Sequence, residues 1–69
     1  MSEKELLEQC LVDCANILKN LIEVQDRCAE KQKVGIVKSI GVSKRILFDA
    51  MASVRFIIQN LNGVDETTN

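Results

Sequence analysis

The sequence predicts a single all-α domain: a long N-terminal helix, then a short helix and a second long helix, assembled as an oligomer. The chain has 69 residues, of which 46% are hydrophobic, and it contains no proline. Apolar side chains recur every three or four residues through both halves, which is the period of an amphipathic helix. A chain of this length buries only about 60% of the surface it exposes when unfolded, so we expect a second chain to complete its core.

The first predicted helix extends from Ser2 to about Lys31. Ser2 and Glu5 have the spacing of a capping box, in which each side chain satisfies a free amide of the first turn. The apolar stripe that follows is wide enough for a core-facing helix. It consists of Leu7, Cys10, Leu11, Cys14, Ile17, Leu18, Leu21, Val24 and Cys28.

One series within this stripe repeats at intervals of seven residues, as in a coiled-coil seam. Its members are Leu7, Cys14, Leu21 and Cys28. Together with Phe56 near the end of the chain, these residues are the predicted oligomer interface. A parallel dimer would bring Cys14 and Cys28 next to their own copies.

A helix stop and a helix start are predicted at Gly41-Val42-Ser43; the alternative, one continuous helix through this stretch, costs about 1 kcal/mol for each interior glycine. The segment 32–42 is rich in weak helix formers. Gly41 is suited to the left-handed position that closes a helix, and Ser43 is suited to cap the next one. The last helix is then expected to run from Ser43 to Asn62 and to end at Asn62-Gly63. Its apolar face comprises Leu47, Ala50, Met51, Val54, Ile57, Ile58 and Leu61. The domain is therefore assigned to residues 1–62, with a flexible polar tail at 63–69.

The two halves of the chain carry opposite charge, although the overall net charge is only −1. Residues 1–30 contain seven acidic and three basic side chains, a net of −4, and residues 31–62 contain six basic side chains against Asp49, a net of +5. This asymmetry indicates either a half that faces a polyanion or two helices that attract each other.

No combination of residues in the sequence is typical of an enzyme. The chain has no histidine, the commonest general base and metal ligand. Cys28 lies fourteen residues beyond Cys14, about 21 Å along one helix, so the three cysteines do not make a zinc site within one chain. We therefore predict no catalytic residue, metal or cofactor, and interpret the cysteines as small apolar residues of a reduced core. With no apolar run longer than three residues and no signal-peptide pattern, a cytoplasmic location without a membrane is expected.

The segment Lys33 to Ala52 resembles the helix-turn-helix of bacterial repressors and phage regulators. Gly41 stands where that motif has its turn glycine, and Ser43 stands where the second helix begins. The apolar positions that join the two helices of the motif are occupied by Ile36, Ile40, Val42, Leu47 and Ala50. The resemblance covers about twenty residues.

This resemblance implies a small DNA-binding regulator that dimerises through its long helices. The second helix would lie in the major groove of double-stranded DNA with its first turns against the bases. Lys44 and Arg45 would contact guanine or phosphate, with Ser43 and Lys38 near phosphates. The full set of implied DNA-binding residues is Lys38, Ser43, Lys44, Arg45, Phe48, Asp49 and Ala52.

A second interpretation remains open: a helical hairpin that acts through protein contacts, as an adaptor, inhibitor or assembly subunit. It is favoured by a second apolar row on the last helix, formed by Phe48, Ala52 and Phe56 at intervals of four residues. A helix that is apolar on most sides is generally buried. In this interpretation the acidic first helix lies against the basic second half, and Gly41 marks a kink or a close helix crossing.

Overall fold

The computed structural model describes residues 1–61 and consists of two α-helices that form a hairpin. Helix α1 spans Glu3–Glu30 and helix α2 spans Val34–Asn60. Three residues connect them, so α2 runs back along α1 in the antiparallel direction. The all-α class is thereby confirmed. The predicted helix end at Asn62-Gly63 and the polar tail at 63–69 lie outside the described residues.

The first turn of α1 is closed by the predicted capping box. The backbone amide of Glu5 donates to Ser2 Oγ at 3.1 Å, and the backbone amide of Ser2 donates to Glu5 Oε1 at 2.9 Å. These bonds lower the pKa of Glu5 below the 4.5 of an unperturbed glutamate; the bond from the Ser2 backbone amide is the larger cause.

The chain reverses direction at Gln32, where φ is +59°. The amide of Gln32 donates to the carbonyl of Ala29 at 3.0 Å, and the amide of Lys33 donates to the carbonyl of Cys28 at 2.9 Å. This pair of bonds is the Schellman motif, which satisfies the last carbonyls of a helix through one left-handed residue. Glycine usually occupies that position; here a glutamine does.

The predicted turn at Gly41 to Ser43 is wrong. One helix, α2, continues through these residues without interruption, and neither Gly35 nor Gly41 has a positive φ. An interior glycine costs a helix only about 1 kcal/mol relative to alanine, which the contact of α2 with α1 offsets. The separate short helix predicted before Gly41 is therefore the first part of α2.

A single seam joins the two helices and contains every half-buried or buried residue of the described chain. On α1 the seam residues are Leu7, Leu11, Cys14, Leu18, Leu21, Gln25 and Cys28. On α2 they are Val37, Ile40, Gly41, Lys44, Leu47, Met51, Val54 and Ile58. Apart from Gly41, which stands next to Ile40, the seam residues follow one another in alternating steps of three and four residues, as in a two-stranded coiled coil.

The hairpin is one helix thick. Its extents are 52 × 22 × 11 Å, and 11 Å is about the diameter of one helix with its side chains. Among the described residues only Ile40 is buried, at 8% exposure. The hairpin thus has a seam rather than a closed core, whereas domains ordinarily consist of at least two packed layers.

Candidate interaction surfaces

A polar bridge fixes how the two helices align near the turn. Gln25 lies in the seam, and its Nε2 donates to the carbonyl oxygen of Val37 at 3.1 Å. Lys44 Nζ donates to Gln25 Oε1 at 2.8 Å. An ideal Cβ placed on Gly41 would lie 3.8 Å from Gln25 Nε2, so the glycine is at the crossing of the helices. Polar residues at seam positions specify register because any other alignment would leave them unpaired.

Two sides of the hairpin flank this seam. Two antiparallel helices are related by a local twofold axis that is perpendicular to the plane of the hairpin. Residues that hold the same position relative to the seam residues of their own helix therefore lie on the same side of the hairpin. Residues one position before Leu11, Leu18 and Gln25 therefore lie on the same side as residues one position before Val37 and Lys44.

The first side, which we call the neutral flank, carries no charge at these positions. It is formed by Cys10, Ile17 and Val24 of α1 and by Ile36, Ser43, Ala50 and Ile57 of α2. All seven residues are exposed, and the four large aliphatic ones retain 44–50% of their accessible surface. Leu6, one helical turn before Cys10 and 52% exposed, borders this flank, and Glu3 stands seven residues before Cys10.

The second side, which we call the charged flank, mixes apolar and ionisable side chains. It is formed by Glu8, Ala15, Ile22 and Ala29 of α1 and by Gly41, Phe48 and Arg55 of α2, and is bordered by Lys19, Asp26, Lys38 and Arg45. Ile22 and Phe48 are its large apolar members, at 41% and 50% exposure. The ionisable groups make this side more costly to remove from water than the neutral flank.

The predicted DNA-binding residues are spread around α2. Lys38, Arg45 and Ala52 are exposed and share one face at intervals of seven residues, with Phe48 and Asp49 on either side of that face. A shallow groove there is lined by Lys38, Gly41, Val42 and Arg45. Lys44 instead enters the seam, and Ser43 lies on the neutral flank, so the structure does not bring the seven residues together on one surface.

The predicted oligomer-interface residues are divided between the seam and the outer surface. Leu7, Cys14, Leu21 and Cys28 are half-buried in the seam within one chain, whereas Phe56 is 65% exposed. Cys14 and Cys28 are free thiols among apolar neighbours of the seam, and Cys10 is a free, exposed thiol on the neutral flank.

The opposite charges of the two halves do not form ion pairs between the helices within residues 1–61. The ion pair in this part of the chain joins Arg27 to Glu23, one turn apart on α1. Both residues are more than half exposed, so this pair contributes little to stability. Apart from Lys44, which is hydrogen-bonded in the seam, the charged side chains of residues 1–61 are exposed and available to a partner.

The sequence pattern predicts the width of the apolar stripes but not which of their residues lie in the seam and which stay exposed. It predicts that Cys10, Ile17 and Val24 face the core with the seam residues, and Ala50 and Ile57 likewise. The structure leaves these five residues exposed, because each helix packs against one other helix, which covers only the residues of the seam. The sequence does contain an indication of this difference: Cys10, Ile17 and Val24 form a series of their own at intervals of seven residues, next to the seam series of Leu11, Leu18 and Gln25.

Neither helix in residues 1–61 is long and apolar enough to cross a membrane. The same part of the chain brings together no group of three metal-ligating side chains. No protein-family model, curated protein or solved structure matches this chain.

Proposed function

We propose that this chain is a non-enzymatic interaction module, which acts by packing its helical hairpin against α-helices of another polypeptide. The observation that carries the proposal is the single-layer architecture: 11 Å of thickness and one buried residue among residues 1–61. An exposed apolar surface that is continuous along a helix is typical of a binding site for a protein.

The apolar surface left open is too regular to be scattered surface residues. Fourteen large hydrophobic side chains among the described residues are at least 37% exposed, and four of them, Ile17, Val24, Ile36 and Ile57, lie together on the neutral flank. Single exposed apolar residues are common in monomers, but a row along two adjacent helices is not. Helix-on-helix packing is the recognition mode that this geometry supports, because such a row fits the grooves of another helix.

DNA binding is a second candidate, supported by one observation: Lys38 and Arg45 are exposed on the same face of α2. Such a pair is able to contact two phosphates without any helix-turn-helix. The continuous α2 lacks the turn on which the docking of a recognition helix depends, so we place this candidate second.

Thermal unfolding as a function of protein concentration tests the interaction module. The chain alone is followed by far-ultraviolet circular dichroism over about a hundredfold range of concentration. We expect a broad loss of helix at a low midpoint in dilute solution, since one layer buries too little apolar surface to be stable. A sharp transition at a high midpoint that stays constant over the range would overturn the proposal.

A further inference from the structure

We propose that the neutral flank binds a second copy of this chain, forming a four-helix bundle in which α1 of each copy lies against α2 of the other. This inference rests on the proposed function and names the partner and the surface.

The row pattern is that of a four-helix bundle. Each helix in such a bundle contacts two neighbours and so requires two adjacent apolar rows. Both helices of this chain have two such rows: one is used by the seam, and the other forms the neutral flank on a common side of the hairpin. A lone partner helix would cover only part of a two-helix face, whereas a second hairpin matches its length and width.

The face is large enough for a stable dimer. A standard interface buries about 800 Å² on each partner, and the broad side of the hairpin measures 52 by 22 Å. Because the same surface is used on both copies, the contact is isologous and closes as a dimer rather than growing into a fibre. Ser43 and Ala50 are small, so the layers can approach closely at the middle of α2.

Net charge selects between the two possible twofold arrangements. A twofold axis parallel to the helices places α1 against α2 of the partner, whereas an axis perpendicular to them places α1 against α1. Within its bounds α1 carries seven acidic and three basic residues, and α2 carries four basic residues against Asp49. Lys44 lies in the seam and Lys38, Arg45 and Arg55 lie on or beside the charged flank, so the attraction acts across the width of a helix and not through ion pairs at the neutral flank. Helices in contact lie 8–10 Å apart, about one Debye length, and at that range the net charges favour the acidic helix beside the basic one.

The first test compares matched charge substitutions on the two flanks. Ile17→Glu lies on the neutral flank and Ile22→Glu on the charged flank of the same helix, at similar exposure. Sedimentation equilibrium of the full chain should show a dimer for wild type and for Ile22→Glu. Ile17→Glu should weaken the dimer by more than about tenfold, because a carboxylate would be buried without a partner.

The outcomes separate this inference from the proposed function. Dissociation by Ile22→Glu but not by Ile17→Glu would overturn the neutral flank as the interface and leave the interaction module standing. A monomeric wild type that unfolds broadly would overturn only the second copy as occupant. A monomeric wild type with a sharp, concentration-independent transition would overturn both.

Disulfide trapping tests the arrangement of the helices. Ile17→Cys and Ala50→Cys are made as separate chains in a background where the three native cysteines are replaced, with folding checked by circular dichroism. Oxidising the mixture should yield the mixed disulfide, since the parallel axis places position 17 near position 50 of the partner. Ile17→Cys alone should not cross-link, because its two copies lie across the bundle diagonal, beyond the roughly 7 Å limit between Cα atoms. A disulfide formed by Ile17→Cys alone would overturn the pairing of α1 with α2.

Discussion

Lys44 Nζ donates a hydrogen bond to Gln25 Oε1 at 2.8 Å, across the otherwise apolar seam of the hairpin. Gln25 in turn donates to the carbonyl of Val37, so a single side chain connects α1 to two positions of α2. The bridge adds little net stability, because its groups leave water to form it. Its main effect is to fix the register, since a shift of one heptad would separate Gln25 from Lys44.

Replacing Gln25 and Lys44 together should affect the free energy of unfolding differently from replacing either residue alone. Gln25→Leu or Lys44→Leu alone should lower the free energy of unfolding by about 1 kcal/mol, because the remaining polar group loses its partner. The double variant should be at least as stable as wild type, because leucines fill the seam in place of both polar groups. Urea unfolding of the four proteins gives the coupling energy directly. Additive losses in the double variant would show that the bridge does not act as a unit.

Gly41→Ala should stabilise the protein by up to about 1 kcal/mol, the difference between the two residues inside a helix. The new methyl group would lie 3.8 Å from Gln25 Nε2, an ordinary van der Waals contact. Gly35→Ala, in the first turn of α2 with no neighbour within 4 Å, is the matched control and should give a smaller gain. Denaturant unfolding measures both. A loss of stability confined to Gly41→Ala would indicate that the chain bends at that residue.

Gln32→Gly should raise the free energy of unfolding by about 1 kcal/mol, because a left-handed residue with a side chain costs roughly 1–2 kcal/mol. The gain is partly reduced by the greater freedom of glycine in the unfolded chain. Gln32→Ala is the control and should leave stability nearly unchanged, since alanine carries the same Cβ penalty. Equal effects of glycine and alanine would contradict a left-handed residue at this position.

The stability of the folded chain should fall as the pH drops below about 4.5, the pKa of an ordinary glutamate. The pKa of Glu5 is lowered in the folded state, so its contribution is fully present above about 4.5, the unfolded value, and is lost as the pH falls through the lower folded value. Glu5→Gln should remove this part of the pH dependence, and Ser2→Ala should reduce it by removing the hydroxyl partner. Helix content measured by circular dichroism between neutral and acidic pH checks this. An unchanged acid profile in Glu5→Gln would contradict the capping box.

The chain should not retard duplex DNA at about 50 mM salt, where electrostatic binding is strong. If retardation is observed, Lys38→Ala with Arg45→Ala should abolish most of it, because these two side chains share an exposed face. Lys44→Ala is the control and should have a smaller effect on DNA, because that ammonium group is hydrogen-bonded in the seam. Loss of binding in Lys44→Ala alone would favour the helix-turn-helix interpretation.

The sequence predicted the all-α class and the capping box because both depend on local spacing. The end of the first helix near Lys31 is also confirmed, but the residue at which the chain reverses was not predictable from local spacing. Gly41 is the residue that ordinarily adopts a left-handed conformation, yet the structure uses Gln32 for that role. Helix-to-helix contact decides this choice: a reversal after Gln32 gives two helices of nearly equal length, whereas one at Gly41 would leave most of α1 without a partner.

The apolar pattern likewise predicted more contacts than one hairpin provides. Ile17 and Leu18 belong to the same stripe, but the structure half-buries Leu18 in the seam and leaves Ile17 half exposed. Periodicity reveals which side chains favour burial and not which chain covers them. That information depends on association between molecules, which a single sequence does not specify.

The left-handed Gln32 also determines what happens when the reversal is made unfavourable. A β-branched residue such as isoleucine is poorly tolerated at positive φ, so Gln32→Ile favours a straightened form in which α1 and α2 join end to end as one rod. Two such rods, aligned antiparallel, recreate the contacts of α1 with α2 between chains instead of within one. A single substitution at Gln32 is thus expected to favour the exchange of helices between two molecules.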